Sequence, residues 1–216
     1  MRTLVIDSAT EACSVALLDN DGLDGDELIA GTCRMLGRGH AEFLVPMIAE
    51  LPGKGRADRI AVSLGPGSFT GLRVGLAAAR ALALAWGAEL RGYPTLDLVA
   101  AMARQRKGNQ PVCIVMTGGH GEWFVQGFAD DGQTARPLAS LKPSDAATAT
   151  DEVLVAGSQA EALVAARGHG EALPLWPDAR DFPLLADFSL TRDIQPLYGR
   201  PPDARLPDSG PPQAVP

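Results

Sequence analysis

The chain has 216 residues, 46% of them hydrophobic and 21% charged, which is enough apolar material for one large or two small globular domains. Nineteen basic against 26 acidic residues give a net charge of −7, and that balance argues against independent binding of nucleic acid, which needs a basic face to displace counterions. Cys13, Cys33 and Cys113 are odd in number and lack any CxxC spacing, so they read as small buried hydrophobes in a reducing compartment.

The N-terminus meets Asp7 after three apolar residues, Leu4-Val5-Ile6, which excludes a secretory signal at this end. No apolar run is expected to span a bilayer, and the expected location is the cytoplasm. Leu4–Ile6 and Ser14–Leu18 are expected strands joined by the polar turn Ser8–Cys13, the second ending at the turn signal Asp19-Asn20-Asp21-Gly22. A third strand is expected over Ile29–Met35. A helix should follow from about Gly39 to Leu51, closed by Pro52-Gly53, with Pro46 kinking it or marking where its regular part begins.

Arg59–Leu64 reads as a short apolar strand that feeds a glycine-rich loop, Gly65-Pro66-Gly67-Ser68-Phe69-Thr70-Gly71, and then a helix to about Trp86. Another helix is expected over Thr95–Arg104. A polar linker to Gln110 would end a first lobe over residues 1–104.

The second lobe, 108–198, opens with strands over Val112–Met116 and Glu122–Phe128 and then Asp130-Asp131-Gly132. Asp7 lies 15 residues before Gly22, and Thr117 lies 15 before Gly132. Strand, turn, strand and acidic glycine turn recur in the same order, which predicts a duplicated lobe. Val153–Ala156 reads as a strand entering a helix that Ser158 could cap over Gln159–Arg167. The tail over 199–216 is crowded with Pro and Gly, and its composition predicts disorder.

Three features bear on function. Gly65–Gly75, reading GPGSFTGLRVG, sets glycines and a helix N-terminus where a phosphate or carboxylate could be cradled, with Asp7, Ser8, Gly65, Gly67, Ser68 and Thr70 as the candidate contacts. It is neither a Walker loop nor a dinucleotide fingerprint, and a tight strand-to-helix connection without ligand accounts for it as well. Asp7 could hold a hydrated magnesium ion from its strand end, although a lone Asp there is more often a turn-former. The helix after the loop has hardly any polar face, with only Arg73 and Arg80 interrupting it. The preceding helix carries Phe43, Leu44, Val45, Met47, Ile48 and Leu51. A sheet can bury one face of each, and a second protein chain is the expected cover for the other, the alternative being two merely well-buried core helices. His40 has no HxxxH or HExxH partner for zinc, and no nucleophile with a base announces itself, so neither a metal ligand set nor a catalytic residue is named.

Val5-Ile6-Asp7-Ser8-Ala9-Thr10-Glu11-Ala12-Cys13-Ser14-Val15-Ala16-Leu17, Arg38-Gly39-His40 leading into Leu44-Val45-Pro46-Met47-Ile48, and Gly65–Gly75 together resemble the TsaB (YeaZ) family. Tyr93-Pro94-Thr95-Leu96 and Pro196-Leu197-Tyr198 are similar to the family too. The resemblance is dense over residues 4–100 and thin beyond.

The resemblance implies an α/β, actin-like (sugar-kinase and Hsp70-like, or ASKHA) fold with a reduced second lobe. The function it implies is non-catalytic, as a scaffold for forming N6-threonylcarbamoyladenosine at position 37 of tRNA. It further implies a heterodimer with the paralogue TsaD through the first-lobe helices, with the P-loop ATPase TsaE joining and tRNA reached through the complex. ATP or ADP and the metal would sit on partner subunits rather than on this chain. On that basis Phe43, Leu44, Met47, Ile48, Arg73, Leu76, Ala77 and Arg80 are the expected interface. Self-pairing through the same helices is physically open to such a surface. Many family members carry Asp-Ala-Arg in the strand opening the second lobe, where this chain reads Thr117-Gly118-Gly119-His120-Gly121-Glu122, and the connection Pro52–Asp58 is short. An ATP-dependent kinase or ATPase of the same fold is the alternative, and Thr117 in place of an acid argues against it. A peptidase, suggested by historical naming around the paralogue, ranks last.

Overall fold

A computed structural model describes residues 1–20 and 26–199, with Asp26 described in backbone only. The tail expected to be disordered lies outside the described residues except for Gly199. Asp21 and Gly22 of the second expected turn lie outside them as well.

Strands β1 (Arg2–Asp7), β2 (Ala12–Asn20) and β3 (Asp26–Met35) form an antiparallel meander. Helix α1 (His40–Glu50) then leads to β4 (Arg59–Ser63), α2 (Phe69–Trp86) and β5 (Glu89–Tyr93), with β4 and β5 parallel to β1. Helix α3 (Thr95–Lys107) carries the chain to the second sheet. That sheet holds β6 (Val112–Gly119), β7 (Glu122–Phe128), β8 (Thr134–Leu141), β9 (Leu154–Ala156) and β10 (Glu171–Leu173), with α4 (Pro143–Ala149) and α5 (Ala160–Arg167) between its later strands. The first sheet is ordered β3-β2-β1-β4-β5 and the second β8-β7-β6-β9-β10, so each strand of one has its counterpart in the other. The duplication expected from the spacing of Asp7 and Thr117 is therefore a repeat of topology, with the later elements shortened. The strand β4 has five residues where β9 has three, and α2 has 18 where α5 has eight.

Alternation along the central strands builds the layers. Leu4 and Ile6 turn toward α1 and α2, where they join Leu44, Met47, Ile48, Leu76 and Ala79. Val5 and Ala61 turn the other way, onto α3. Ile114 and Met116 of β6 meet that helix from the second sheet, while Cys113 and Val115 turn out toward α4 and α5. Helix α3 thus sits between the sheets, and a short 3-10 segment, Ala179–Leu184, returns beside it to pack Phe182 edge-on against Tyr93 at 5.5 Å.

Several expectations need correcting. Helix α1 runs on through Pro46, whose ring lies on the exposed face. Ser158 does not cap α5, because its hydroxyl accepts the Thr117 N–H at 3.1 Å instead and Gln159 takes the cap position. By length and composition α2 does reach what a membrane crossing requires, with a mean hydropathy of 1.2 over 18 residues. In the fold its Leu72, Leu76 and Ala79 are buried. The thiols of Cys13 and Cys113 are buried, which pushes each up to about 12, and Cys33 is half-buried.

Candidate functional site

Two hairpin turns and the glycine-rich loop meet at one cleft of about 320 Å³. Ala9, Thr10 and Glu11 come from the turn after β1, Gly67, Ser68 and Phe69 from the loop, and Thr117 to His120 from the end of β6 and the turn after it. Gly37 after β3, Phe124 of β7 and the chain's last described residues, Tyr198 and Gly199, complete the lining. Tyr198 stacks on Phe69, ring centroids 4.8 Å apart and planes 16° apart.

The loop's glycines have a cause that the sequence left open. A Cβ on Gly67 would lie 2.0 Å from the carbonyl oxygen of Ala9, and one on Gly71 would lie 2.1 Å from that of Ser8. Both positions let the start of α2 press its backbone onto the turn after β1. Ser68 N–H donates to the Ala9 carbonyl at 2.7 Å, and the Ser8 hydroxyl donates to the Gly71 carbonyl at 2.9 Å. The close approach that glycine permits is thus made to the protein's own hairpin. Ser68 also caps α2 by accepting the Gly71 N–H.

The six candidate anion contacts divide accordingly. Gly67 and Ser68 line the cleft. Ser8 is buried under α2, and Gly65 is buried with its carbonyl accepting from Thr95 N–H at 2.8 Å. Thr70 is exposed on the first turn of α2 but is not among the residues lining the cleft. Asp7, the magnesium candidate, is fully buried. One carboxylate oxygen accepts the Ala9 N–H at 3.0 Å, and the other accepts the Tyr93 hydroxyl at 3.1 Å. Burial pushes its pKa up to about 7, against which those two hydrogen bonds work only in part. As a site contact Asp7 is therefore corrected, because Tyr93 and the turn's own backbone occupy it.

The expected interface divides as well. Leu44, Met47, Ile48 and Leu76 are buried against the first sheet, so they are core residues and reach no partner directly. Their spacing fitted a partner face as well as a core face, and only the sheet's position separates the two. Phe43, Arg73, Ala77 and Arg80 point outward. Beside them Val45 is 57% exposed and Leu84 88%, two apolar side chains that the expected interface left out. Arg73 lies over the Phe69 ring at 5.6 Å, and Arg80 donates to the Ile194 carbonyl at 2.6 Å.

Two sheets of one strand order with a cleft between their equivalent hairpin turns define the two-lobed, actin-like class. The family model TsaD, described as tRNA N6-adenosine threonylcarbamoyltransferase, matches residues 34–183, well over half of the chain. The tRNA threonylcarbamoyladenosine biosynthesis protein TsaB of Escherichia coli K12 is 37% identical over 138 residues, covering 61% of this chain and 56% of that protein. TsaB of Haemophilus influenzae is 39% identical over 106 residues, 46% of this chain and 41% of that protein. These matches span about half the length of the curated relatives. A crystal structure from Pseudomonas aeruginosa, described as an uncharacterized protein with similarity to peptidase YeaZ, superposes with a TM-score of 0.76 at 27% identity. It covers 92% of this chain and 99% of that one. The chain belongs to the TsaD family, within which it is a TsaB/YeaZ-type paralogue.

Proposed function

We propose that this chain is a non-catalytic, cytoplasmic subunit of the assembly that forms N6-threonylcarbamoyladenosine at position 37 of tRNA. In this reading it docks on a TsaD-type catalytic subunit through the outer faces of α1 and α2. A P-loop ATPase of the TsaE type joins the assembly, and nucleotide, metal and tRNA are held mainly by the partners.

The observation that carries the reading is the outer face of the two first-lobe helices. Phe43 is 43% exposed, Val45 57% and Leu84 88%, and the small side chains of Ala49, Ala77, Ala81 and Ala85 between them are exposed too. Small residues among large apolar ones let a facing helix approach closely, and a surface of this kind is unfavourable in water unless covered. The names of the curated relatives, biosynthesis proteins for the same modified nucleoside, supply the pathway.

The kinase or ATPase alternative has less to rest on. Among the described residues lining the cleft there is no Lys or Arg for phosphates, and Glu11 is the only acid. Asp7 is sealed off, and the equivalent place in the second sheet is Thr117.

The test is a tRNA threonylcarbamoylation assay with the cognate partner proteins, run with and without this chain. The expected result is modification that requires the chain, with no activity from the chain alone; equal modification without it overturns the reading. For the interface, Ala77→Glu and Leu84→Asp should weaken pairing with the TsaD-type subunit by more than about 30-fold. Circular dichroism should stay unchanged, since both positions are exposed, and undiminished co-elution on size exclusion would remove the α2 face from the proposal.

A further inference from the structure

After β10 the chain crosses back to the first lobe and runs along it as a strap, residues 190–199. Thr191 bridges to Gly92 of β5, each N–H donating to the other's carbonyl at 2.9 Å. The Ile194 carbonyl accepts from Arg80, and Leu197 N–H donates to the Leu64 carbonyl at 2.7 Å. Tyr198 then stacks on Phe69, and Gly199 comes so close to Phe124 of the second sheet that a Cβ there would lie 2.4 Å from its ring. The strap's last two residues therefore reach from one lobe to the other across the cleft they help to line.

Both arginines on the outer face of α2 support this strap. Arg80 holds it directly, and Arg73 lies over the ring on which Tyr198 stacks. Arg80 has a neutral carbonyl where an acidic side chain would be the stronger acceptor. A partner carboxylate arriving on α2 would therefore compete for the group that holds the strap down.

We propose that residues 190–199 act as a latch over the interlobe cleft, fastened by Arg80, Arg73 and Phe69, and that occupation of the α2 face unfastens it. The coupling rests on the docking surface proposed above; the latch itself does not. Cleft access and partner binding are then linked reciprocally, so that a strap that cannot fasten favours the partner-bound form.

Hydrogen exchange on the full chain separates the two claims. The Leu197 and Thr191 amides report the strap, and amides of β1 and β4 report the global fold. In Arg80→Ala and Tyr198→Ala, both exposed positions, exchange at Leu197 should quicken by roughly 10-fold, the scale of one lost hydrogen bond or ring stack. The β1 amides should be unchanged. Unaltered exchange at Leu197 in both variants overturns the latch.

Adding the TsaD-type subunit to the parent chain should protect amides of α2 and quicken Leu197. Protection of α2 with no change or slowing at Leu197 overturns the coupling while leaving the docking surface standing. If α2 is not protected at all, the docking surface fails, the coupling falls with it, and the latch is still judged by the two variants.

Discussion

The turn after β1 and the turn after β6 stand at equivalent places in the two sheets and are built in opposite ways. In the first, Ser8 lies beneath the start of α2, and Asp7 is buried and closed in by Tyr93. In the second, Thr117, Gly119, His120 and Gly121 are exposed, and three successive residues, Gly119 to Gly121, adopt positive φ. The Thr117 side chain is tied to Ser158 and Gln159 at the start of α5. An acid at a strand end is thus no sign of chemistry until its surroundings are known. In this chain Asp7, the acid at the first strand end, has no access to the cleft, whereas Thr117 at the equivalent place lines it and is no acid.

Titrating the buried acid gives the largest effect that would break this comparison. Asp7 ionises near 3.8 in an unfolded chain and at about 7 in the folded one. Because folding raises its pKa, its contribution to stability is fully present below about 3.8 and is lost as pH rises through about 7, after which the profile levels off. The stability lost by pH 8 is about 4 kcal/mol from Asp7 alone, and Asp97 and Asp181, also raised by burial, act in the same direction. Urea unfolding of the parent chain from about pH 4 to about pH 8 should show this decline, and Asp7→Asn should flatten most of it. An equally steep decline in Asp7→Asn would mean that the carboxylate reaches water or a counterion.

The glycine contacts give the next effect. Gly71→Ala puts a methyl group 2.1 Å from the Ser8 carbonyl oxygen, and α2 can yield only by leaving the turn. The expected loss is about 3 kcal/mol in urea unfolding. Gly119→Asn, in the open turn, meets no neighbour within 4 Å and keeps a residue type that tolerates its positive φ, so its cost should stay under about 1 kcal/mol. Similar losses at both positions would mean that the two turns are equally constrained.

Much of this contrast was hidden from the sequence for identifiable reasons. The strands of the first hairpin, the glycine loop, the helix after it and the duplication were legible because apolar runs and turn residues mark them directly. The strands β5 and β8 were not foreseen. In β5, Glu89-Leu90-Arg91-Gly92-Tyr93 mixes charge with glycine. In β8, Pro137 argues against a strand, although an edge strand accommodates a proline. The candidate anion contacts divided as they did because a glycine that admits a phosphate and a glycine that admits a neighbouring carbonyl look alike in one dimension. The expected interface mixed core residues with outward ones for a similar reason: a helix apolar on both sides does not say which side meets the sheet. Tyr198 and Phe124 were missed as cleft residues because the strap that brings them together has no periodicity to read.

Placing an acid in the open turn gives the smallest effect and the sharpest control. Thr117→Asp puts a carboxylate at the position equivalent to Asp7, on a residue that is exposed and already accepts the Gln159 side-chain N–H at 2.9 Å. Water and that donor should hold the new carboxyl near the ordinary range for Asp, so folding would barely alter its proton affinity. The expected change in stability between about pH 4 and about pH 8, relative to the parent chain, is under about 0.5 kcal/mol. NMR titration of the introduced side chain's carboxyl carbon would check the ionisation directly. A slope as steep as that from Asp7 would locate the cause in the strand-end geometry that the two turns share. A flat profile would locate it in the burial of Asp7 under the chain packed on the first sheet, since Thr117 at the equivalent place is exposed.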